Sequence, residues 1–314
     1  MRTNAQFGKL LKVWTAVVIT TASVLYAEEK SGGFGIGPGM VLVENVRPGS
    51  ETDVGASGFS FEVENNTDQK HTFAITTRTA KSSIGSWEKG YESIPDASWL
   101  RLDKNELELD AKTKGNVKLF ITIPDKPEYY NRKFMGIVAC APGTAATSGS
   151  SVGLVVASRV QIETLPNDES DGASAGELAL TPSSWLMSDA RPGDSWRKTF
   201  KVRNNSKDEH TYTLKSINDV ESDEGRHDRY FGQGFTKIEK ESWADVKDKS
   251  FSIKPGETKS LVVGVKVSNG AVVNKRYEEL LFLQDEKGQT SFIRLRTALA
   301  PATANADDGK KKTP

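Results

Sequence analysis

Side chains able to do nucleophilic, acid–base or metal chemistry are few in this sequence. The 314 residues include three histidines and one cysteine, Cys140, which lies in the apolar run 134–141. A cysteine nucleophile needs a neighbouring imidazole or cation to form its thiolate, and the sequence offers no such arrangement. A single cysteine also excludes an intrachain disulfide and a cysteine-based zinc site. We therefore expect Cys140 to be a buried, inert thiol, with pairing between molecules as the alternative.

Histidines and acids give two further candidates, and both have simpler explanations. His71 and His210 each follow an Asn-Asn turn. The simpler explanation is that each histidine is a polar residue that begins a strand. The acidic run 219–224 resembles a calcium loop, but an acid stands where the loop requires glycine and Tyr230 stands where a glutamate should close it. The sequence also has no nucleophile elbow, phosphate-binding loop or zinc-protease motif. We therefore predict no catalytic, cofactor-binding or metal-binding residues and expect that the chain is not an enzyme.

Charge composition excludes one class of partner. The chain has 42 Lys and Arg residues against 42 Asp and Glu residues, so its net charge is zero. A nucleic-acid-binding protein needs a basic face to contact phosphates, and we expect no nucleic-acid partner.

The length is that of about two domains of ordinary size, each able to bury a core without disulfides.

The ends of the chain are expected to lie outside the folded domains. Residues 1–27 carry three cations and no acid, then an apolar run too short to span a bilayer, then a small residue, and this pattern predicts a signal peptide. Residues 28–39 form a glycine-rich lead-in, and the composition of 301–314 predicts a disordered tail. We expect an exported protein, periplasmic or at the cell surface, with no membrane anchor in the mature chain.

The sequence contains an internal repeat with the alternation typical of β-strands. Arg47-Pro48-Gly49 recurs as Arg191-Pro192-Gly193, and Trp99 corresponds to Trp243. Apolar residues alternate with a period of two, as at Phe59, Phe61 and Val63, and no long amphipathic helix interrupts the pattern. The sequence therefore predicts an all-β protein of two tandem immunoglobulin-like β-sandwich domains. The predicted segments are domain 1 at 40–165, a flexible linker at 166–177 and domain 2 at 178–300.

Some of these segments resemble a known group of proteins. The Val-x-Asn-Asn sequences at 63–66 and 202–205, and the apolar strand that follows Lys254-Pro255-Gly256-Glu257-Thr258, are similar to bacterial extracytoplasmic Ig-like modules. These modules include PapD-like pilus-chaperone domains and WxL-interacting proteins. Residues 132–166 resemble the last two strands of a chaperone's first domain, where the last strand donates apolar side chains to an unfinished pilus subunit. The resemblance implies a donor strand with Val152, Leu154, Val156, Val160 and Ile162.

The sequence departs from that family in two respects. The chaperones hold the subunit's terminal carboxylate with an arginine on the first strand and a lysine on the last. Here Gln161 stands at the lysine position, and the segment 35–43 contains no arginine. The two halves are also copies of each other, whereas the chaperone domains are dissimilar. The resemblance therefore implies the fold, but the family's anchoring residues are not carried over.

Each half has a long aromatic-rich insertion before its repeated tryptophan, at 81–98 and 219–242. Aromatic residues on the loops of a rigid sandwich are typical of partner or sugar binding. The aromatic positions repeat in register between the halves, which instead indicates a shared packing role. Both explanations apply to the same residues, namely Trp87, Tyr91, Tyr230, Phe231 and Phe235.

Two functional hypotheses follow. The first is a non-catalytic, exported structural or binding protein of the cell envelope, with an envelope or surface protein or a cell-wall glycan as its partner. The second is a periplasmic pilus-type assembly chaperone that donates the strand around Val152–Ile162. Fold alone does not decide between them.

Overall fold

The computed structural model describes residues 19–21, 33–82, 89–143, 154–170, 172, 177–217, 230–238, 241–288 and 290–301. These residues form two β-sandwich units joined in sequence, with short 3-10 turns and no α-helix among them. The all-β class and the two tandem Ig-like domains predicted from the sequence are therefore confirmed. None of the helices in the described part of the chain is long and apolar enough to cross a membrane. Trp87, Val152 and the acidic run 219–224 lie outside the described residues.

Domain 1 is built from two layers of strands. Its strands are β1 (Ile19–Thr21), β2 (Phe34–Gly37), β3 (Met40–Val46), β4 (Glu51–Asp53), β5 (Phe61–Asn65), β6 (His71–Thr79), β7 (Glu92–Ser93), β8 (Leu100–Leu102), β9 (Glu106–Leu109), β10 (Lys114–Val117), β11 (Leu119–Thr122), β12 (Lys133–Pro142) and β13 (Val156–Thr164). The larger sheet has the order β1-β3-β13-β12-β6-β9, with β7 paired to β12. The opposite layer consists of β10-β5-β2 and β4-β11-β8. Short 3-10 turns lie at Val54–Ser57, Ala80–Ser82, Ala97–Trp99 and Pro127–Tyr129.

Domain 2 repeats this plan. Its strands are β14 (Leu178–Thr181), β15 (Ser184–Ala190), β16 (Ser195–Asn204), β17 (His210–Ser216), β18 (Thr236–Lys237), β19 (Ala244–Val246), β20 (Ser250–Ile253), β21 (Thr258–Lys266), β22 (Arg276–Asp285) and β23 (Thr290–Leu299). One sheet has the order β15-β23-β22-β17-β20, with β18 paired to β22, and the other has the order β14-β16-β21-β19. In both domains an early strand pairs in parallel with the last strand of the domain, β3 with β13 in domain 1 and β15 with β23 in domain 2.

The alternating apolar residues fill one core in each sandwich. In domain 1, Phe61, Val63 and Ile121 are fully buried between the layers. In domain 2, Phe200 and Val263 take the corresponding place. Each fully buried side chain of this size contributes about 1.5–3 kcal/mol, so the two cores can hold the sandwiches without disulfides.

The Asn-Asn turns are held by the first asparagine of each pair. The side-chain amide of Asn65 donates to the carbonyls of Gln69 and Leu109 at 2.8 and 3.1 Å. Asn204 donates in the same way to the carbonyls of Asp208 and Ile253, at 2.7 and 2.9 Å. Both asparagines are fully buried. The repeat therefore preserves a turn that the side chain, rather than the backbone alone, closes.

The first strand lies inside the predicted signal peptide. β1 pairs antiparallel with β3 through Thr20↔Leu42, on the side of β3 that does not face β13. If residues 1–27 are removed on export, as the sequence predicts, β3 becomes the edge of the sheet.

Candidate functional site

The outer faces of the two larger sheets pack against each other and form an interface between the domains. On β12, Met135, Ile137 and Ala139 point away from the domain 1 core, and on β22 Leu280 and Phe282 point away from the domain 2 core. These side chains meet in one buried cluster that contains Leu42, Ala80, Tyr91, Met135, Ile137, Ala139, Ile217, Tyr230, Phe231, Leu280, Phe282 and Phe292. A large apolar interface of this kind fixes the relative position of two domains.

The aromatic insertions supply the centre of this interface. The rings of Tyr91 and Tyr230 stack at 6.2 Å, and Tyr91 also packs edge to face on Phe292 at 5.7 Å. Tyr91, Tyr230 and Phe231 are all buried, and the half-buried Phe235 ring lies under the Arg296 guanidinium at 4.1 Å. The insertions therefore pack at the domain interface: Tyr91 contacts the other domain, whereas Tyr230 contacts Tyr91 of domain 1 and also the Phe282 and Phe292 rings of its own domain. Of the five aromatic residues that the sequence suggests for partner binding, the structure describes four. Only Phe235 among these four is partly accessible to an outside partner.

Arg294 on β23 connects the two domains at the middle of the interface. Its side chain is 1% exposed and donates to both carboxylate oxygens of Glu163 on β13, at 2.9 Å from Nε and 2.6 Å from Nη2. Nη1 donates to the Tyr230 carbonyl at 2.7 Å and to Glu278. The Tyr91 hydroxyl donates to Glu163 Oε1 at 2.6 Å. A bidentate guanidinium–carboxylate pair fixes orientation as well as distance, so it aligns β13 with β23.

A second arginine extends the network to β3. Arg296 donates from Nε to Glu278 Oε2 at 2.6 Å and from Nη2 to Glu44 Oε1 at 2.5 Å. Glu44 and Glu278 are 2% and 0% exposed. With Arg294, Glu163 and the nearby Lys133, these groups carry three negative and three positive charges. The balance matters because an uncompensated charge at this depth would be costly.

Burial and pairing shift the pKa values of these groups in opposite directions. Burial alone would raise the pKa of Glu163, but the charge and hydrogen bonds of Arg294 outweigh it and lower the pKa to about 2. At Glu44 burial prevails over the two arginines, and the pKa is raised. Burial likewise raises the pKa of the Tyr91 hydroxyl. The interface therefore holds Glu163 firmly in its ionised form.

Lys133 is the cation with the poorest partners. Its side chain is buried, Nζ lies 4.4 Å from the centroid of the Phe292 ring, and no oxygen of the described residues accepts a hydrogen bond from it. Burial lowers its pKa to about 8, against the raising effect of Glu163. It borders an interdomain cavity of about 330 Å³. A buried ammonium with an aromatic face as its main contact is tolerated rather than stabilising.

The first part of the linker is held in place on both sides. The Asn131 amide donates to the Asn167 carbonyl at 2.7 Å, and Asn131 Oδ1 accepts from the backbone N–H of Asn167 and of Ser183, each at 3.0 Å. Asp168 forms an ion pair with Lys198 at 2.8 Å. The sequence predicts a flexible linker at 166–177, but these bonds tie residues 167 and 168 to both domains.

The predicted donor strand divides into two parts. Val160 and Ile162 are 0% exposed and belong to the core of domain 1. Val156 is half-buried against the same core, whereas Leu154 is 60% exposed. Val160 and Ile162 cannot be donated without opening their own domain, because the alternation of β13 points them inward. Leu154 remains available, and Val152 lies outside the described residues.

The other sequence candidates have structural positions. Cys140 is a free, fully buried thiol whose pKa burial raises to about 11, so the expected buried thiol is confirmed. His71 and His210 open β6 and β17, as predicted. His210 is buried with Nδ1 at 2.8 Å from Asp285 Oδ2, a contact that the sequence pattern does not indicate.

The charged residues of the interface were not among the sequence candidates. Arg294 and Arg296 alternate with apolar residues in β23, and this pattern predicts a solvent-facing side for the arginines. The strand does turn them away from its own core, but the other domain covers that face. Chemically, the site holds complementary charges without a free nucleophile or an open position beside a general base. Its geometry serves to hold the two domains together.

Comparisons with known proteins give no family. No protein-family model and no curated protein sequence matches the chain. A Porphyromonas gingivalis W83 protein of unknown function is similar over 85% of this chain and 99% of its own, at 12% identity and a TM-score of 0.30. The E. coli chaperone DraB is similar over 85% of this chain and 98% of its own, at 11% identity and a TM-score of 0.30. A chain from the Salmonella enterica complex of SafA pilin with the SafB chaperone is similar over 85% of this chain and 97% of its own, at 11% identity and a TM-score of 0.29. At these identities and TM-scores the similarity does not indicate what this chain binds.

Proposed function

We propose that this chain is a non-catalytic, exported protein of the cell envelope that binds a partner protein by strand addition at the start of β13. The observation that carries the proposal is the exposure of Leu154 and Val155, 60% and 43%, directly before this strand. β3 pairs with β13 only from Arg159 onward. Among the described residues no strand is paired with 154–158 on the side away from β12, and the contact made there is that of the Ser158 hydroxyl, which donates to the Pro38 carbonyl at 2.6 Å. An unpaired edge beside exposed apolar side chains is suited to pairing with an extended segment of another protein.

The rigid frame supports this function. The interface fixes domain 2 against the face of β12 and β13, so the free edge has a constant position relative to both domains. Preorganisation of this kind lowers the entropic cost of binding. Export rests on the signal-peptide pattern of residues 1–27. The partner is expected to be a protein, because the contact uses backbone pairing and apolar side chains. Export makes it an envelope or surface protein.

Photo-crosslinking in intact cells tests the proposal. A photoreactive amino acid at position 154 should give one dominant protein adduct in the mature protein, identified by mass spectrometry. The matched control places the same amino acid at Val262, which is 52% exposed on domain 2. We expect Leu154→Glu to abolish the adduct formed from position 155 while the melting temperature stays unchanged, because Leu154 contributes little to the core. Identical adducts from positions 154 and 262, or an adduct that survives Leu154→Glu, would overturn the proposal.

A second candidate is a rigid structural spacer, and the interdomain charge network favours it. A spacer needs a fixed domain arrangement but no binding edge. The Arg294–Glu163 ion pair supplies the fixed arrangement. The two candidates differ in cells: a spacer should lose function with Glu163→Gln and keep it with Leu154→Glu. A strand-binding protein should lose function with Leu154→Glu.

A further inference from the structure

The two domains differ in how they cover their repeated tryptophan. In domain 1, Trp99 packs edge to face against Tyr129 at 4.8 Å and against Phe134 at 5.2 Å. Tyr129 lies in the 3-10 turn Pro127–Tyr129 and packs on the domain core. The three rings close this end of the sandwich.

Domain 2 retains two of the three aromatic residues. Trp243 corresponds to Trp99, and Tyr277 corresponds to Phe134, since each is the second residue of its strand. Their rings lie 4.8 Å apart. The connecting loop is anchored alike in both domains, by Asn131 at φ 58° and Asn274 at φ 60°. The structural place of the third ring can therefore be located in domain 2.

The loop of domain 2 does not supply that ring. It spans 268–273, one residue fewer than 124–130, and has Ala271, Val272 and Val273 where domain 1 has its two tyrosines. The Val272 N–H donates to the Tyr277 hydroxyl at 3.0 Å, a bond that Phe134 could not make. The loop thus folds over the tyrosine and leaves a groove of about 970 Å³ beside Trp243.

The lining of the groove suits an aromatic side chain. Trp196, Trp243 and Tyr277 form its aromatic walls, and Val265 and Ala271 add apolar contacts. Edge-to-face aromatic pairs are favourable beyond the area that they bury. The charged side chains around it comprise three cations and two acids, namely Arg197, Lys237, Lys266, Glu241 and Asp245. One excess cation complements a ligand that carries an acid next to its ring, as Glu128 precedes Tyr129 in domain 1.

We propose that this groove binds a tyrosine or phenylalanine side chain of a partner protein, presented on a short acidic turn in the place that Tyr129 fills in domain 1. The site lies in domain 2 and does not depend on the edge of β13. A partner that used both sites would be held at two separated points, which increases its overall affinity.

Titration with a peptide copied from the chain itself tests the groove. The probe is the capped hexapeptide Asp-Lys-Pro-Glu-Tyr-Tyr, the sequence of residues 125–130. We expect saturable shifts of the Trp196 and Trp243 indole N–H resonances of the mature protein in nuclear magnetic resonance spectra. The same peptide with both tyrosines replaced by alanine should give no shifts. We expect Ala271→Tyr, which fills the groove from within, to weaken binding at least tenfold.

The control variant is Val262→Tyr, at an exposed position on domain 2 that does not line the groove, and it should bind the peptide as the unaltered protein does. Equal binding of both peptides, unchanged binding by Ala271→Tyr, or the lack of any saturable indole shift would overturn the proposal. A chitin oligosaccharide that shifts the same indoles when the peptide does not would also overturn it, and would assign the groove to a glycan.

Discussion

Arg294 and Glu163 lie 131 residues apart in sequence and form a bidentate ion pair across the domain interface, with N–O distances of 2.9 and 2.6 Å. Both are almost completely removed from water, and Arg294 is the main partner that compensates the charge of Glu163, while Arg294 also contacts Glu278 and Glu44. The pair lies between two apolar sheet faces, and Arg296 contacts the carboxylates of Glu44 and Glu278, which Arg294 also contacts. The tandem domains therefore behave as one unit because their outer faces are complementary in charge as well as in shape.

Breaking this pair from one side should destabilise the protein strongly. We expect Glu163→Gln to lower the free energy of unfolding by about 3–5 kcal/mol, because it removes the bidentate partner of Arg294 and leaves the buried charge cluster with one uncompensated positive charge. Urea denaturation at pH 7 measures the change. The control is Glu62→Gln, which removes the exposed partner of Lys114 and should cost less than about 1 kcal/mol. Equal effects of the two substitutions would contradict the central role of the pair.

Lys133 should make stability rise with pH in a defined window. Its pKa is about 8 in the folded chain against 10.5 for an unperturbed lysine, so between these values the unfolded state binds more protons. Below pH 8 Lys133 is charged in both states, and the burial of its charge lowers the free energy of unfolding by the full amount. This destabilisation disappears by about pH 10.5, where the lysine is neutral in the folded state and loses its proton in the unfolded state. We expect Lys133→Met to stabilise the protein at pH 7 by about 1–3 kcal/mol.

The pH dependence distinguishes this cause from better packing of methionine. The difference in unfolding free energy between Lys133→Met and the unaltered protein should shrink toward zero as pH rises from 8 to 10.5. Denaturation series at several pH values measure it. A constant difference, or a less stable variant at pH 7, would refute the assignment of the cost to the buried ammonium.

Gln161 is a buried amide that the interface does not satisfy. It is 0% exposed, and neither its oxygen nor its nitrogen has a hydrogen-bond partner among the described residues. An unpaired buried polar group costs about 1–3 kcal/mol. We expect Gln161→Met, which keeps the length of the side chain, to raise the melting temperature in calorimetry. Gln161→Glu should lower it sharply, and a loss of stability in the methionine variant would show that the amide has a role here.

The sequence was sufficient for the sandwiches but not for their contact. Phe61 and Val63 alternate with polar residues, and this period of two predicts the core directly. The same rule assigns Arg294 and Arg296 to a solvent-facing side, because the alternation cannot tell a face covered by water from one covered by another domain. Tyr91 and Phe235 repeat in register, which indicated packing, but the surface on which the insertions pack is set by the relation between domains. That relation has no local signal in the chain.

Cys140 offers a measure of how firmly domain 1 is closed. The thiol is fully buried on β12, between β6 and β13, and burial raises its pKa to about 11. Because only the accessible thiolate reacts with disulfide reagents, we expect native protein at pH 8 to react at least a thousandfold more slowly than protein in urea. Reaction then follows opening of the domain, so Glu163→Gln should accelerate it if the interface supports domain 1, whereas Glu62→Gln should not. Absorbance of the released thiolate gives the rate. Rapid stoichiometric labelling of the native chain, or a disulfide-linked dimer on a non-reducing gel, would contradict a closed core and would favour pairing between molecules.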